Sequence, residues 1–267
     1  MYEDLESNQV TTLKDQKAVV VGGGGFLGRA ICKAYAREGA TLIVGDISHE
    51  AAVETLRSTA GRGHGLALKV DVSDPGSSQE MIDTIVNRFG RLDILVNCAA
   101  LCLVDELTKV TPERWDKVFA VNARGAFFCM QAAARVMIRQ KFGRIINIST
   151  PASHGGFPHF ASYGASKASV DSMTRAAAIA WAPHGVTVNC IVPGRMTGGM
   201  VDTLADDLAK LNGKSPENVR VEQTASLPMQ RRVEPEEVAE AAVWLASTAA
   251  AYVTAERLNF TGGQELS

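Results

Sequence analysis

The sequence predicts a doubly wound α/β domain, with one parallel sheet of about seven strands and helices on both faces. Three observations carry this expectation. Short apolar runs of the kind that fill buried strands alternate with longer segments of helical period. A glycine cluster stands directly between the first apolar run and the first helix. No break in composition, internal repeat or low-complexity segment divides the chain, so a single domain takes all the elements. Strands that alternate strictly with helices pair in parallel through crossover connections, and the helices cover the sheet.

Residues 1–13 are polar and aperiodic and read as a loose tail, leaving 14–267 as the domain. The run 17–21 is the first strand, and the helix 26–38 that follows is stopped by Gly39. Residues 41–45 form a second strand, 49–59 a helix, 65–70 a third strand, 77–89 a helix and 92–96 a fourth strand. Thr111 suits an N-cap and Pro112 a first turn, opening a helix that runs to about residue 140. A fifth strand spans 143–149, and a helix over 162–182 ends at Pro183-His184-Gly185. The sixth strand covers 186–192, and 194–230 is a polar segment with short helical pieces. A helix over 235–247 and a strand over 257–261 complete the order.

Composition excludes several functions. The 27 basic and 29 acidic side chains give a net charge of −2, so no basic field invites nucleic acid or an acidic membrane. No apolar run approaches a membrane span, and the acidic N-terminus lacks a signal-peptide core, which makes the cytoplasm the expected location. The five cysteines, at 32, 98, 102, 129 and 190, are odd in number and form no Cys-x-x-Cys pair. Neither a disulfide framework nor a zinc site is expected, and the scattered histidines show no metal spacing.

The loop Val21-Gly22-Gly23-Gly24-Gly25-Phe26-Leu27-Gly28 joins the first strand to the first helix. Glycines there let the backbone turn tightly and approach a pyrophosphate at a helix N-terminus, so Gly22, Gly25, Phe26, Leu27 and Gly28 are candidate dinucleotide contacts. Asp46 ends the second strand, where a carboxylate accepts from adenosine ribose hydroxyls and repels a 2′-phosphate. No Arg or Lys lies in 22–28 or 45–48, so NAD is expected over NADP.

Tyr163 and Lys167 share one face of the predicted helix over 162–182. A cation beside a phenol favours the ionised form and fits tyrosine for acid/base work. Thr150 lies thirteen residues before Tyr163.

With these elements in order, the chain resembles the short-chain dehydrogenase/reductase family, a Rossmann-like fold, from about Leu13 to the C-terminus. Further segments match in sequence: Asp71-Val72 after the third strand, Asn97-Cys98-Ala99-Ala100 after the fourth, Val121-Asn122-Ala123-Arg124-Gly125 in the long helix, and Pro193-Gly194 after the sixth strand. The resemblance implies that Tyr163 exchanges the proton at the substrate oxygen. It implies that Lys167 lowers the tyrosine pKa and holds the nicotinamide ribose, and that Asn122 holds a water linking Lys167 to solvent. Asp71, Val72, Asn97, Pro193, Gly194 and Thr197 are the further cofactor contacts it implies.

Five departures qualify the match. The serine that precedes the tyrosine in the family falls on Thr150; Ser149, one residue earlier, points to the opposite strand face and is the alternative. The glycines follow Gly-x-x-Gly-x-x-Gly, the pattern of the longer epimerase-type branch, and Phe26 occupies the place of the second glycine of compact members. Ala100 stands where the family has glycine, and Thr261 where it has aspartate. The threonine that follows Pro-Gly is displaced, leaving Thr197 one residue early and Gly198 in its place.

By family position 194–230 is a substrate loop. Its Asp202, Asp206, Asp207, Lys210 and Lys214, with few aromatics, favour a small polar substrate, although most of these charges suit a solvated helical face better than ligands. The resemblance leans toward polyol and acetoin-type dehydrogenases, with a small-molecule alcohol or ketone as substrate and a homotetramer, or a dimer, as the assembly. A 3-oxoacyl (acyl-carrier) reductase, a non-catalytic NAD(H)-binding protein and an epimerase or dehydratase are the rival readings.

Overall fold

Seven of the apolar runs pair into one parallel sheet in the computed structural model, which describes residues 12–59 and 65–264. The strands are β1 (Lys17–Val21), β2 (Thr41–Asp46), β3 (Leu66–Lys69), β4 (Ile94–Asn97), β5 (Gly143–Ile148), β6 (Val186–Pro193) and β7 (Arg257–Phe260). Their order is β3-β2-β1-β4-β5-β6-β7. The direction of winding reverses between β1 and β4, which opens a crevice at the carboxyl ends of these strands.

Successive strand residues point to opposite faces, and the apolar residues follow. Val20, Val44 and Val96 enter a core covered by α1 (Phe26–Arg37) and α9 (Pro235–Ala246). Val19, Val21, Ile43 and Leu95 enter a second core on the other face. That face is covered by α3 (Pro75–Phe89), α5 (Ala126–Gln140) and α6 (Ala161–Trp181). Helix α2 (His49–Ser58) follows β2, and α4 (Pro112–Phe119) precedes α5.

Three sequence expectations change. The helix expected from 111 to 140 is interrupted by a π-helical turn, Ala120–Gly125, between α4 and α5. The helix expected from 77 begins at Pro75, because Asp74 caps it by accepting from the Gly76 N–H at 2.8 Å. Most of the expected tail, residues 1–11, lies outside the described residues. Leu13 at its end is fully buried, its N–H bonded to the Glu38 carbonyl, so packing starts there.

The segment 194–230 holds α7 (Met200–Asn212) and α8 (Pro216–Ala225). Ala205, Leu208, Ala209 and Val219 pack them together beside Val104 and Phe160.

Candidate active site

Gly22 leaves β1 with φ +80° and donates its N–H to the Gly45 carbonyl at 2.8 Å. A Cβ on Gly22 would stand 2.5 Å from the Ala99 nitrogen, and one on Gly28 would collide with the Gly22 carbonyl oxygen. Only glycine fits at either position, and the turn so formed aims the N-terminus of α1, capped at Gly25, into the crevice. At Gly22 and Gly28 the missing side chains let the loop fold back on its own backbone and on the chain after β4, and Gly22, Gly25 and Gly28 all line the cleft. Phe26 is half exposed, and its ring lies against Gly198 and Gly199, so it bridges the loop to the segment before α7.

The Asp46 carboxylate faces the same cleft, held by N–H donors from Gly24 at 2.9 Å and Ser48 at 3.0 Å. Outside the stretches searched in the sequence, Arg29 sits close by. Its guanidinium is committed to the Gly24 carbonyl at 2.8 Å and to Glu54 at 2.9 Å. Asp71 and Val72 also line the cleft, and the Asp71 carboxylate accepts from the Ser73 hydroxyl at 2.7 Å. Pro193 and Gly194 close it from β6.

Two expected contacts lie elsewhere. Asn97 is buried off the cleft, donating to the Asn147 amide oxygen at 2.8 Å and so tying β4 to β5; Cys98, Ala99 and Ala100 line the wall instead. Thr197 turns its hydroxyl to the Glu234 carboxylate at the start of α9, and Gly198 takes the place at the cleft.

Tyr163 and Lys167 stand on the first turns of α6 and both line the cleft. The Lys167 ammonium donates to the Ile148 carbonyl at 2.7 Å and is buried, and burial lowers its pKa. Burial also raises the pKa of the Tyr163 phenol, while the Thr150 hydroxyl beside it acts in the opposite direction. The neighbouring Cys98 and Cys102 thiols are pushed up to about 12 by their own burial, so they stay neutral at physiological pH. The Ser149 hydroxyl is buried and has no hydrogen-bond partner among the described residues. Of the two candidate hydroxyls, Thr150 is thus the one that interacts with the phenol.

Asn122 is buried in the π-helical turn. Its amide accepts from the Leu101 N–H and donates to the Leu101 carbonyl, both at 2.8 Å, and donates to the Ser166 hydroxyl at 3.0 Å. It clamps the chain before Cys102 to the helix that carries Lys167, and its side chain does not line the cleft.

A further set went unnoticed in the sequence. Asp171, four residues after Lys167 on α6, accepts from the Ser153 hydroxyl at 2.6 Å and from Arg257 at 3.1 Å. Arg257 in turn donates to the Thr150 carbonyl at 3.3 Å, fixing the turn that presents the Thr150 hydroxyl. An acid at i+4 from the lysine was the available signal. In the cleft wall beyond Thr150, Met200, Val201 and Leu204 belong to the expected substrate loop, whereas Ala152, Phe157 and Phe160 carried no signal in the sequence.

Known proteins are similar to this chain over nearly its whole length. Residues 25–265 match the family model described as enoyl-(acyl carrier protein) reductase. The galactitol 2-dehydrogenase of Agrobacterium fabrum is 33% identical over 256 residues, covering 96% of this chain and 99% of that protein. The 3-oxoacyl-(acyl-carrier-protein) reductase FabG of Thermotoga maritima is 34% identical over 256 residues, covering 94% and 98%. The crystal structure of an NAD+-bound xylitol dehydrogenase superposes with a TM-score of 0.90 at 28% identity, covering 94% of this chain and 99% of that one. The resemblance to polyol-type dehydrogenases is therefore borne out, as is the parallel seven-stranded fold. With a family match spanning nearly all of its length, the chain belongs to the short-chain dehydrogenase/reductase family of oxidoreductases.

Proposed function

We propose that the protein is an NAD-dependent oxidoreductase that interconverts a secondary alcohol and a ketone, with Tyr163 as the acid/base. The observation that carries this is one continuous cleft with the glycine turn and Asp46 at one end and Tyr163, Lys167 and Thr150 at the other. When bound, NAD supplies the hydride acceptor, and its reduced form the donor. Gly22, Gly25, Phe26, Leu27 and Gly28 would hold its pyrophosphate, and Asp46 its adenosine ribose. Asp71, Val72, Pro193 and Gly194 would line the remainder.

The Thr150 Oγ1 orients the substrate oxygen toward the Tyr163 Oη, which gives up or takes the proton. Among the described residues no carboxylate pairs with Lys167, so its charge is available to a phenolate at Tyr163. Asn122 positions this pair by joining Leu101 to α6. Preference for NAD over NADP follows from the Asp46 carboxylate and from the engagement of Arg29 by Glu54. We place the reaction in the cytoplasm: all five cysteines are free thiols, and no described helix is long and apolar enough to cross a membrane. We expect a homotetramer, or a dimer, with the face of α4 and α5 that carries the partly exposed Trp115 and Phe127 as a candidate interface.

Replacing Tyr163 with Phe tests the central role. Alcohol oxidation is expected to fall by about a thousandfold or more while NADH binding, followed by fluorescence, stays within a few-fold. Activity within a few-fold of wild type would remove Tyr163 from the mechanism.

A further inference from the structure

The cleft extends past Thr150 and Tyr163 into a chamber whose walls are hydrocarbon. Ala152 and Phe157 follow the fifth strand, Phe160 precedes α6, and Met200, Val201 and Leu204 come down from α7. Of the charged residues of 194–230, Arg195 alone lines the cleft, and the others pair among themselves or stand outside it. Asp206 pairs with Arg220 at 2.7 Å, Asp202 with Arg220 at 3.5 Å and Arg232 at 3.6 Å, Asp207 with Lys210 at 3.1 Å, and Lys214 with Glu222 at 2.6 Å. These pairs lace α7 to α8 and to the chain before α9, and turn the apolar side of α7 toward the cleft.

Few polar atoms remain along the cleft for a substrate. Thr150 and Tyr163 are committed to the reacting oxygen, and Lys167 to Ile148. The Ser149 hydroxyl is buried and unpartnered among the described residues. Arg195 and Gln264 also line the cleft; the buried Arg195 Nε has no partner among the described residues and can serve one hydroxyl, fewer than a polyol carries. Every further hydroxyl of a polyol that finds no partner among hydrocarbon walls would lower affinity by roughly ten- to a hundredfold. Hydrocarbon substituents instead gain from leaving water.

We infer that the substrate is a secondary alcohol or ketone borne on a hydrocarbon skeleton, alicyclic or aromatic, and not a polyol. This rests on the dehydrogenase reading above and departs from the substrates for which several relatives are named. Phe157 and Phe160 supply flat faces for a ring. Met200 supplies an adaptable wall.

The experiment is an NAD-coupled comparison of cyclohexanol and 1-phenylethanol with xylitol and galactitol. The expected kcat/KM is about a hundredfold higher for the first pair, and a polyol used as well or better overturns the inference. In Leu204→Gln the ratio is expected to shrink about tenfold, carried by a higher KM for the hydrocarbon alcohols. An unchanged ratio would show that α7 does not form the wall. If nothing turns over, the dehydrogenase reading fails by itself, and ligand-observed NMR still decides the wall. Acetophenone held about tenfold more tightly than xylitol by the chain with NADH supports an apolar chamber; the reverse order refutes it.

Discussion

Burial acts on the two central residues in opposite directions: it raises the Tyr163 pKa and lowers that of Lys167. In the free protein Tyr163 is therefore protonated at neutral pH, ready to act as an acid toward a ketone. Oxidation of an alcohol needs the phenolate, so its rate is expected to climb with pH into the alkaline range, while ketone reduction declines there. Lys167→Met removes a charge that favours the phenolate, and the pH profile of kcat/KM for oxidation should move to higher pH. A profile left in place would argue that the ammonium serves only to hold Ile148. At the other end of the cleft, Asp46→Ser removes a carboxylate from where a 2′-phosphate would lie. Unit charges about 4 Å apart interact by about 4 kcal/mol near a protein surface, and salt screening trims this to about 3 kcal/mol, so the ratio of kcat/KM for NAD over NADP is expected to drop about a hundredfold. A ratio that stays constant would assign cofactor choice to other residues.

Between elements, the contact most exposed to test joins α6, β5 and β7. Asp171 is buried on α6, and its partner Arg257 on β7 also holds the Thr150 carbonyl after β5. Asp171→Ala leaves that guanidinium without its carboxylate in a part-buried site. The expected loss is about 3 kcal/mol, read as a lower urea midpoint with an unchanged slope. Turnover should fall further than stability explains, since the turn bearing Thr150 loses its anchor. This tie joins residues 171 and 257, which no local spacing connects. Legibility at this scale was uneven. Thr111 and Pro112 announced α4 correctly because capping is local chemistry. The π-helical turn at Ala120–Gly125 was invisible, because it depends on Asn122 reaching Leu101 and Ser166 across the fold. Asn97 and Thr197 were expected at the cofactor from the family resemblance, and their side chains are bonded instead to Asn147 and Glu234.

Across the whole molecule, the crevice where winding reverses between β1 and β4 gathers residues from six strand ends into one cleft of about 490 Å³. That placement follows from topology, since parallel strands all present their carboxyl ends on one edge. Helices α4 and α5 carry Trp115 and Phe127 partly exposed on one side of the domain. Sedimentation velocity is expected to give a species of four chains, and a monomer at micromolar concentration would remove the proposed assembly.

The sequence by itself determined the order of elements, the glycine turn, the acid after β2 and the pairing of Tyr163 with Lys167. Each rests on short-range rules: period-two and helical patterning, the steric needs of a turn, and the i, i+4 neighbours of a helix. Only the tertiary structure decided that Thr150 and not Ser149 meets the phenol, that Arg29 is already engaged, and that the charges of α7 and α8 satisfy one another. The chamber left beside Tyr163 is consequently lined with hydrocarbon. A side chain's partner is chosen by distance in space, and residues such as Phe157 and Leu204 become neighbours only once the chain has folded.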